Sequence, residues 1–316
     1  MGSDFTFREA TISDYHDVMA IGEVYNGVDY LPSRYEDMMR SHNHTGYVSV
    51  VNGEIVAFVA ACIVDNGETL VTRAGRVNDK YRGQGVYGSL LRFARKQIAA
   101  VGGVKYEAFT TLSKNFEENK DKIKAVYTEI LIKNAMYYRS RFKIKDFKAL
   151  PNDLNTMPTL LQKADLENIF SSDATCKHLF KSNRIVCGWV PFRLLSSNID
   201  YILKPDTLLL ASCRHDRSNN DVIYTCLTAG MHTPCKLGLV YSIDIFGGDV
   251  SEVRHHIQVH AKNLQSVADD RECAVTVMWE DNLLPADVES ILNGVDMAEP
   301  TRAQAGKLYL LEKQFQ

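Results

Sequence analysis

Between Tyr81 and Leu91 the chain reads Tyr-Arg-Gly-Gln-Gly-Val-Tyr-Gly-Ser-Leu-Leu, a spacing that suits the grip of an anion. Gly83, Gly85 and Gly88 let the backbone approach a ligand with no Cβ in the way, and N–H groups at a helix start meet it at the positive end of the dipole. Arg82 adds a charge-assisted contact at the mouth of the loop. As a bare pattern the glycines also satisfy G-x-G-x-x-G, and Glu107 falls about 20 residues on, where a dinucleotide fold puts its ribose ligand. Other residues with chemistry to offer are the adjacent phenols Tyr137 and Tyr138 and the imidazoles His255, His256 and His260. His256 and His260 stand at i, i+4, as zinc-binding pairs do. No third ligand motif accompanies them and H-E-x-x-H is absent, so a solvated helix face is expected and no metal.

The elements around the loop decide between the two nucleotide readings. Phe5 to Arg8 is extended, and Thr11-Ile-Ser-Asp14 opens a helix to about Gly22 with a capping box; Ser33 with Glu36 is a second box, for a helix to about Ser41. Gly46–Val51, Glu54–Val64 and Thr69–Val77 are rich in β-branched residues and are separated by Asn52-Gly53 and Asn66-Gly67, strong hairpin signals. They form an antiparallel meander. A helix then runs from Val86 to about Ala100, Gly102-Gly103 ends it, and a strand follows at Val104–Leu112. From Phe116 to about Arg141 the apolar spacing reads as helical, and Phe142–Ala149 as extended. A Rossmann unit has a buried parallel strand abutting its first glycine, whereas here Asn78-Asp-Lys-Tyr-Arg82 intervenes after a hairpin strand and no further βαβ units follow.

Arg82-Gly-Gln-Gly85, preceded by Tyr81, resembles the [Q/R]-x-x-G-x-[G/A] pyrophosphate loop of the GNAT family of acetyl-CoA-dependent N-acetyltransferases. The order strand, two helices, three antiparallel strands, loop, helix, strand, helix, strand resembles that family over about residues 4–150. One position departs: Tyr87 stands where the motif has its last small residue, with Gly88 one place late. The resemblance implies an acetyl-CoA site in which the backbone of Gly83, Gln84, Gly85, Val86, Tyr87 and Gly88 holds the pyrophosphate with Arg82, and the backbone of Arg76 and Val77 pairs with pantetheine. It also implies a tyrosine acid about five residues before a phenylalanine. Tyr137 before Phe142 occupies that place, with Tyr138 as alternate and Arg141 where the family has glycine.

Acetyl transfer to an amine needs a neutral nucleophile, donors for the oxyanion and an acid for the departing thiolate. An α-amine has a pKa near 8, so a weak base or a water chain suffices. Glu107, on the strand after the cofactor helix, is the candidate base. The loop from Tyr25 to Arg34 should cap the acceptor cleft, where Asp29, Tyr30 and Tyr35 could hold a cationic or aromatic acceptor and Arg34, Arg73 or Arg76 its carboxylate.

Leu150–Pro158, with Pro151, Asn152, Asp153, Asn155 and Pro158, is the best linker, which places the catalytic domain at 4–150 and a second domain at 159–316. The second half is again mixed α/β, with strands near Val222–Leu227, Lys236–Phe246, Ala274–Trp279 and Lys307–Lys313. Leu239–Phe246, Gly247-Gly-Asp249 and a following helix repeat the strand, loop and helix of the first half without R-x-x-G-x-G, and Asp249 would repel a pyrophosphate. The fold class is therefore α/β with a mainly antiparallel sheet, in tandem GNAT-like domains of which the C-terminal one is degenerate and helps form the acceptor pocket. A net charge of -3 over 316 residues gives no general attraction to nucleic acid or anionic membrane, so a small molecule is the expected partner. Seven cysteines without a C-x-x-C pair read as reduced thiols; with no membrane span and no secretory pattern near Met1, a cytoplasmic protein is expected. The whole-chain arrangement resembles family members that acetylate the α-amine of a free amino acid, L-histidine first among them. A peptide N-terminal acetyltransferase and a non-enzymatic CoA-binding module stay open.

Overall fold

The computed structural model describes residues 5–140, 157–215, 222–269, 271–295 and 304–316. The chain forms two compact units, Met1–Phe109 with Glu312–Gln316, and Thr110–Leu311. The linker expected at 150–158 falls largely outside the described residues.

In the first unit, β1 (Thr6–Glu9) leads to α1 (Tyr15–Ala20) and α2 (Leu31–Arg40), followed by β2 (His44–Val51), β3 (Glu54–Val64), β4 (Thr69–Val77), α3 (Val86–Val101) and β5 (Tyr106–Leu112). Strands β1 to β4 pair antiparallel in chain order, and β5 joins β4 in parallel. Both hairpins turn where the sequence signals them, with positive φ at Asn52 and Gly53 and at Asn66 and Gly67. Alternation along β2 and β3 divides the core. Tyr47, Ala57, Val59 and Ala61 pack with Val86, Leu90, Ala94 and Ile98 of α3, while Val48, Phe58 and Ala60 pack with Val18, Leu31, Tyr35 and Met38 of α1 and α2. Helix α2 starts two residues before the expected Ser33 box. The Asp29 carboxylate accepts the Leu31 N–H at 3.0 Å, Pro32 fills the first turn, and the Ser33 hydroxyl donates back to the Tyr30 carbonyl at 3.1 Å.

The second unit continues with α4 (Ser113–Glu118), α5 (Lys120–Lys124), β6 (Thr128–Ser140), β7 (Thr159–Leu160), α6 (Lys163–Ser171), α7 (Asp173–Leu179), β8 (Arg184–Cys187), β9 (Val190–Arg193), α8 (Ile199–Ile202), β10 (Thr207–His215), β11 (Val222–Cys235), β12 (Gly238–Gly247), α9 (Val250–Ala268), β13 (Cys273–Trp279), α10 (Pro285–Gly294) and β14 (Gln304–Gln314), whose residues from Glu312 on belong to the first unit. Its sheet runs β14-β6-β13-β12-β11-β10-β7, in which β12 and β13 are parallel while β6 with β13, β11 with β12, and β10 with both β11 and β7 are antiparallel. Strand β13 is buried along its whole length, and its even apolar run is that of a central strand.

Two sequence expectations are corrected in this unit. The helical reading of 116–141 holds only to Lys124; from Thr128 the chain is a strand, because Asn134–Ser140 completes the ladder on β13 and that pairing outweighs a loose 3.6-residue spacing. Neighbouring positions there alternate between two faces instead of standing 100° apart. His256 and His260 are not on a solvated face. Both are fully buried on the inner side of α9 beside Val253, Ile257 and Leu264. Their ring nitrogens are matched by hydroxyls: Ser212 (2.9 Å) and Thr228 (2.8 Å) on His256, Thr228 (2.8 Å) and Tyr241 (3.1 Å) on His260. Burial pushes both imidazoles down to about 3, so the pair is neutral.

Candidate active site

The glycine loop enters α3 through an open, left-handed backbone. Asn78 caps a short turn by accepting the Lys80 N–H at 3.1 Å, and the chain then passes through Gly83 and Gly85, whose φ values of 76° and 74° lie in the left-handed region that only glycine enters freely. Gly85 is the N-cap of α3, and the first N–H returned within the helix is that of Ser89, to the Gly85 carbonyl at 3.0 Å. The N–H groups of Val86, Tyr87 and Gly88 thus lack helical acceptors. A Cβ at Gly83 or Gly85 would meet nothing within 4 Å, so this backbone borders open space. Such a cradle fits a pyrophosphate. The exposed Arg82 guanidinium stands beside it, bonded to the Val77 carbonyl at 3.3 Å and paired with Asp79 at 2.9 Å, a surface contact that solvent weakens and an anion can replace. Gln84 turns back, its amide donating to the Lys80 carbonyl at 2.9 Å.

Tyr87, the residue that leaves the loop pattern, does not crowd the cradle. Its phenol is directed at β4, where a Cβ on Gly75 would lie 2.3 Å from the hydroxyl oxygen. Burial raises its pKa and keeps it neutral. Gly75 is therefore part of the loop's support, and the sequence reading missed it. The signal was present, an isolated glycine inside a strand pattern. Next to it, Ala74 has φ 54°, and the β3–β4 register slips between Phe58 and Ala60, a bulge that reorients the strand's end.

That bulge sends the Arg76 side chain inward. Its guanidinium forms a bidentate pair with Asp29 at 2.9 and 3.1 Å, with side-chain exposures of 1% and 10%. Asp29 and Arg76, both expected to meet an acceptor, are instead bonded to one another, and they fasten the loop before α2 to the end of β4. The pairing of β4 with β5 runs only from Thr69 opposite Tyr106 to Val71 opposite Ala108, so the β5 side of β4 beyond Val71, which includes Val77, has no ladder partner in that register. Tyr35 is a core residue whose hydroxyl donates to the Thr11 carbonyl at 2.7 Å; burial pushes it up to about 12. Arg34 is half-buried on α2. Tyr30 and Arg73 come together, the guanidinium carbon 5.4 Å from the ring centroid.

Glu107, the candidate base, is 1% exposed and is bonded to Arg95 at 2.6 and 2.8 Å and to Lys313 at 3.3 Å, so both carboxylate oxygens are taken. In the second unit, Tyr137 has a buried hydroxyl with no hydrogen-bond partner, and burial raises its pKa. Its ring is tight against Gly306, where a Cβ would come within 3.3 Å. The side chain of Tyr138, together with Arg141 and Phe142, lies outside the described residues. Asp249 caps α9, accepting the N–H groups of Ser251 (2.8 Å) and Glu252 (2.9 Å), so that helix start carries its own anion. No group of three metal-ligating side chains occurs among the described residues. Within the same residues no helix is long and apolar enough to cross a membrane, and none of the seven cysteines is in a disulfide.

The family described as "Histidine N-acetyltransferase, C-terminal" matches residues 154–277. The Histidine N-acetyltransferase of Oreochromis niloticus is 26% identical over 275 residues, covering 82% of this chain and 80% of that one. The protein of the same name from Scomber australasicus is 27% identical over 281 residues, with the same coverage. Among solved structures, a tandem GNAT protein from the clavulanic acid biosynthesis pathway aligns over 99% of both chains with a TM-score of 0.61 at 8% identity, a likeness of fold.

Proposed function

We propose that this chain, an N-acetyltransferase of the tandem GNAT fold, moves the acetyl group of acetyl-CoA to the α-amine of free L-histidine, giving N-acetyl-L-histidine and CoA. The observation that carries the acceptor is the likeness over about four fifths of both chains to proteins named Histidine N-acetyltransferase, together with a family match centred on the second half. The observation that carries the cofactor is the open left-handed backbone at Gly83 and Gly85 before α3.

In this reading the N–H groups from Gly83 to Gly88 hold the pyrophosphate, Arg82 closes on it, and the backbone edge at Arg76 and Val77, which β5 leaves without a ladder partner, pairs with pantetheine. The bound cofactor supplies a thioester, an acyl donor that an uncharged amine can attack. Tyr137 acts as the acid. Its hydroxyl has no hydrogen-bond partner to surrender, and burial keeps it protonated, the form an acid needs before it meets a leaving thiolate. Glu107 is spent on Arg95 and Lys313, so deprotonation of the α-amine falls to water, which its pKa near 8 permits. Arg73 with Tyr30 offers a cation and an aromatic face for the acceptor's carboxylate and ring. Seven cysteines without a disulfide suit a reducing, cytoplasmic setting.

The test is release of free thiol from acetyl-CoA with a panel of free amino acids and short peptides, with the product identified by mass. Turnover with L-histidine and little with peptides is expected. Turnover with peptides but not with histidine would refute the acceptor, and none with any amine would refute acetyl transfer.

A further inference from the structure

A cavity of about 370 Å³ lies wholly within the second unit, where β12 ends and α9 begins. It occupies the position in this strand, loop and helix that the glycine cradle occupies in the first unit, but its chemistry is inverted. The helix start is already satisfied by the Asp249 carboxylate, and Glu252 accepts from the Asp249 N–H at 3.2 Å and from the Thr225 hydroxyl. The N–H groups of Ser251 and Glu252 that a phosphate would meet here are already taken, and two carboxylates oppose it.

Two acceptor atoms in the same wall have nothing to accept. Glu280 is 5% exposed, and its Oε1 is buried without a hydrogen-bond partner. Asn282 gives its amide N–H groups to the carbonyls of Gly247 (2.6 Å) and Gly248 (3.0 Å), which leaves its Oδ1 buried and unpartnered. A buried carboxylate oxygen and a buried amide oxygen on two residues that line one cavity are costly to leave unpaired, and a primary ammonium, with three N–H donors and a positive charge, suits both. Lys181 and Arg214 line the same cavity from solvent-exposed positions and supply what a carboxylate needs.

We propose that this cavity binds a free α-amino acid as its zwitterion, the ammonium on Glu280 and Asn282 and the carboxylate toward Arg214 and Lys181. The volume lies at the small end of ligand pockets, which suits a single amino acid. Burial raises the Glu280 carboxyl, and an ammonium beside it restores the ionised form. The inference does not depend on acetyl transfer, since every residue it uses belongs to the second unit.

Equilibrium dialysis of the full chain tests it, with L-histidine, L-glutamine and L-leucine as probes, and with histamine and 3-(imidazol-4-yl)propionate as analogues that lack one charge. At least one amino acid should bind, and its binding at this site should weaken by about tenfold or more in Glu280→Gln and in Arg214→Ala. Analogues without the carboxylate or without the amine should bind the same site at least about tenfold more weakly. Arg214 is exposed, so Arg214→Ala serves if Glu280→Gln does not fold, and unchanged acetyl-CoA affinity in each variant shows an intact first unit. Histidine held at the acetyl-acceptor position survives both substitutions. If all amino-acid binding survives them, if no probe binds, or if one-charge analogues bind equally well, the proposal falls.

Discussion

Gly85 allows the strain of the loop to be separated from its charge. At φ 74° an L-residue carries a strain of about 1–2 kcal/mol, but its Cβ would meet nothing within 4 Å, so Gly85→Ala adds strain without a clash. That strain is present in the free and the bound protein alike, so it cancels from cofactor affinity and appears only as a melting temperature lower by a few degrees. Gly85→Asp places a carboxylate at the start of α3. There the helix dipole offsets part of the strain, by about 0.3–1 kcal/mol, so this variant should melt no lower than Gly85→Ala. In the bound state the same carboxylate meets the pyrophosphate. Two like charges about 4 Å apart repel by about 1 kcal/mol in water and about 4 kcal/mol at a partly screened surface, which corresponds to a loss of roughly fivefold to several hundredfold in affinity. Calorimetric titration with acetyl-CoA should therefore give near-wild-type binding for alanine and a large loss for aspartate. The aspartate loss should shrink as ionic strength rises from about 0.01 M to about 1 M. Equal losses for the two variants, or an aspartate loss indifferent to salt, would refute the loop as an anion cradle.

Tyr137→Phe should lower kcat by about 10²-fold with the KM for acetyl-CoA nearly unchanged, and should not lower the melting temperature, because the hydroxyl has no hydrogen bond to lose; an unchanged rate in a steady-state thiol assay would remove the residue from the mechanism. Gly75→Ala drives a Cβ into the Tyr87 phenol and should cost about 1–3 kcal/mol, of which Tyr87→Phe, lacking the oxygen at 2.3 Å, returns part; purely additive effects in a double-mutant cycle would contradict this contact. The neutral pair His256 and His260 takes up protons mainly once the chain unfolds, since the folded pKa of each is about 3 against an ordinary 6.5. Unfolding free energy from urea titrations should thus fall as pH drops from 6.5 toward 3, and a His256→Gln, His260→Gln variant should show a shallower slope; identical slopes would contradict burial of the pair.

The parts of the first unit that read correctly from sequence are those fixed by neighbours along the chain. Asn52-Gly53 and Asn66-Gly67 dictate their turns whatever surrounds them, and Val86, Leu90, Ala94 and Ile98 declare the buried stripe of α3 through spacing alone. What misled was fixed by distant partners. Ile130, Ala135 and Tyr138 fit a helix loosely, and only β13, more than 130 residues later, makes their segment a strand. Asp29 and Arg76 are 47 residues apart and each looks like a surface charge that awaits a ligand; the bulge at Ala74 that turns Arg76 inward is what joins them. The histidine pair is a different case, because the signal was there. His256 is three residues from Val253 and His260 four before Leu264, so both belong to the apolar stripe of α9, and no spacing rule says that hydroxyls wait on the facing strands to satisfy them.

The two helix starts show why a shared architecture need not mean a shared ligand. Helix α3 begins at a glycine in the left-handed region, with a cation nearby and its first N–H groups unanswered; α9 begins at an aspartate that answers its own. The glycines of the second loop are held there by packing: a Cβ on Gly247 would lie 2.6 Å from the Thr225 carbonyl oxygen, and one on Gly248 the same distance from the Cys226 sulfur. Glycine in the first loop opens space for a ligand, whereas glycine in the second lets the protein fill its own. A count of glycines at a strand-to-helix turn is thus a poor guide to anion binding, and the residue at the N-cap decides whether the helix dipole is still available.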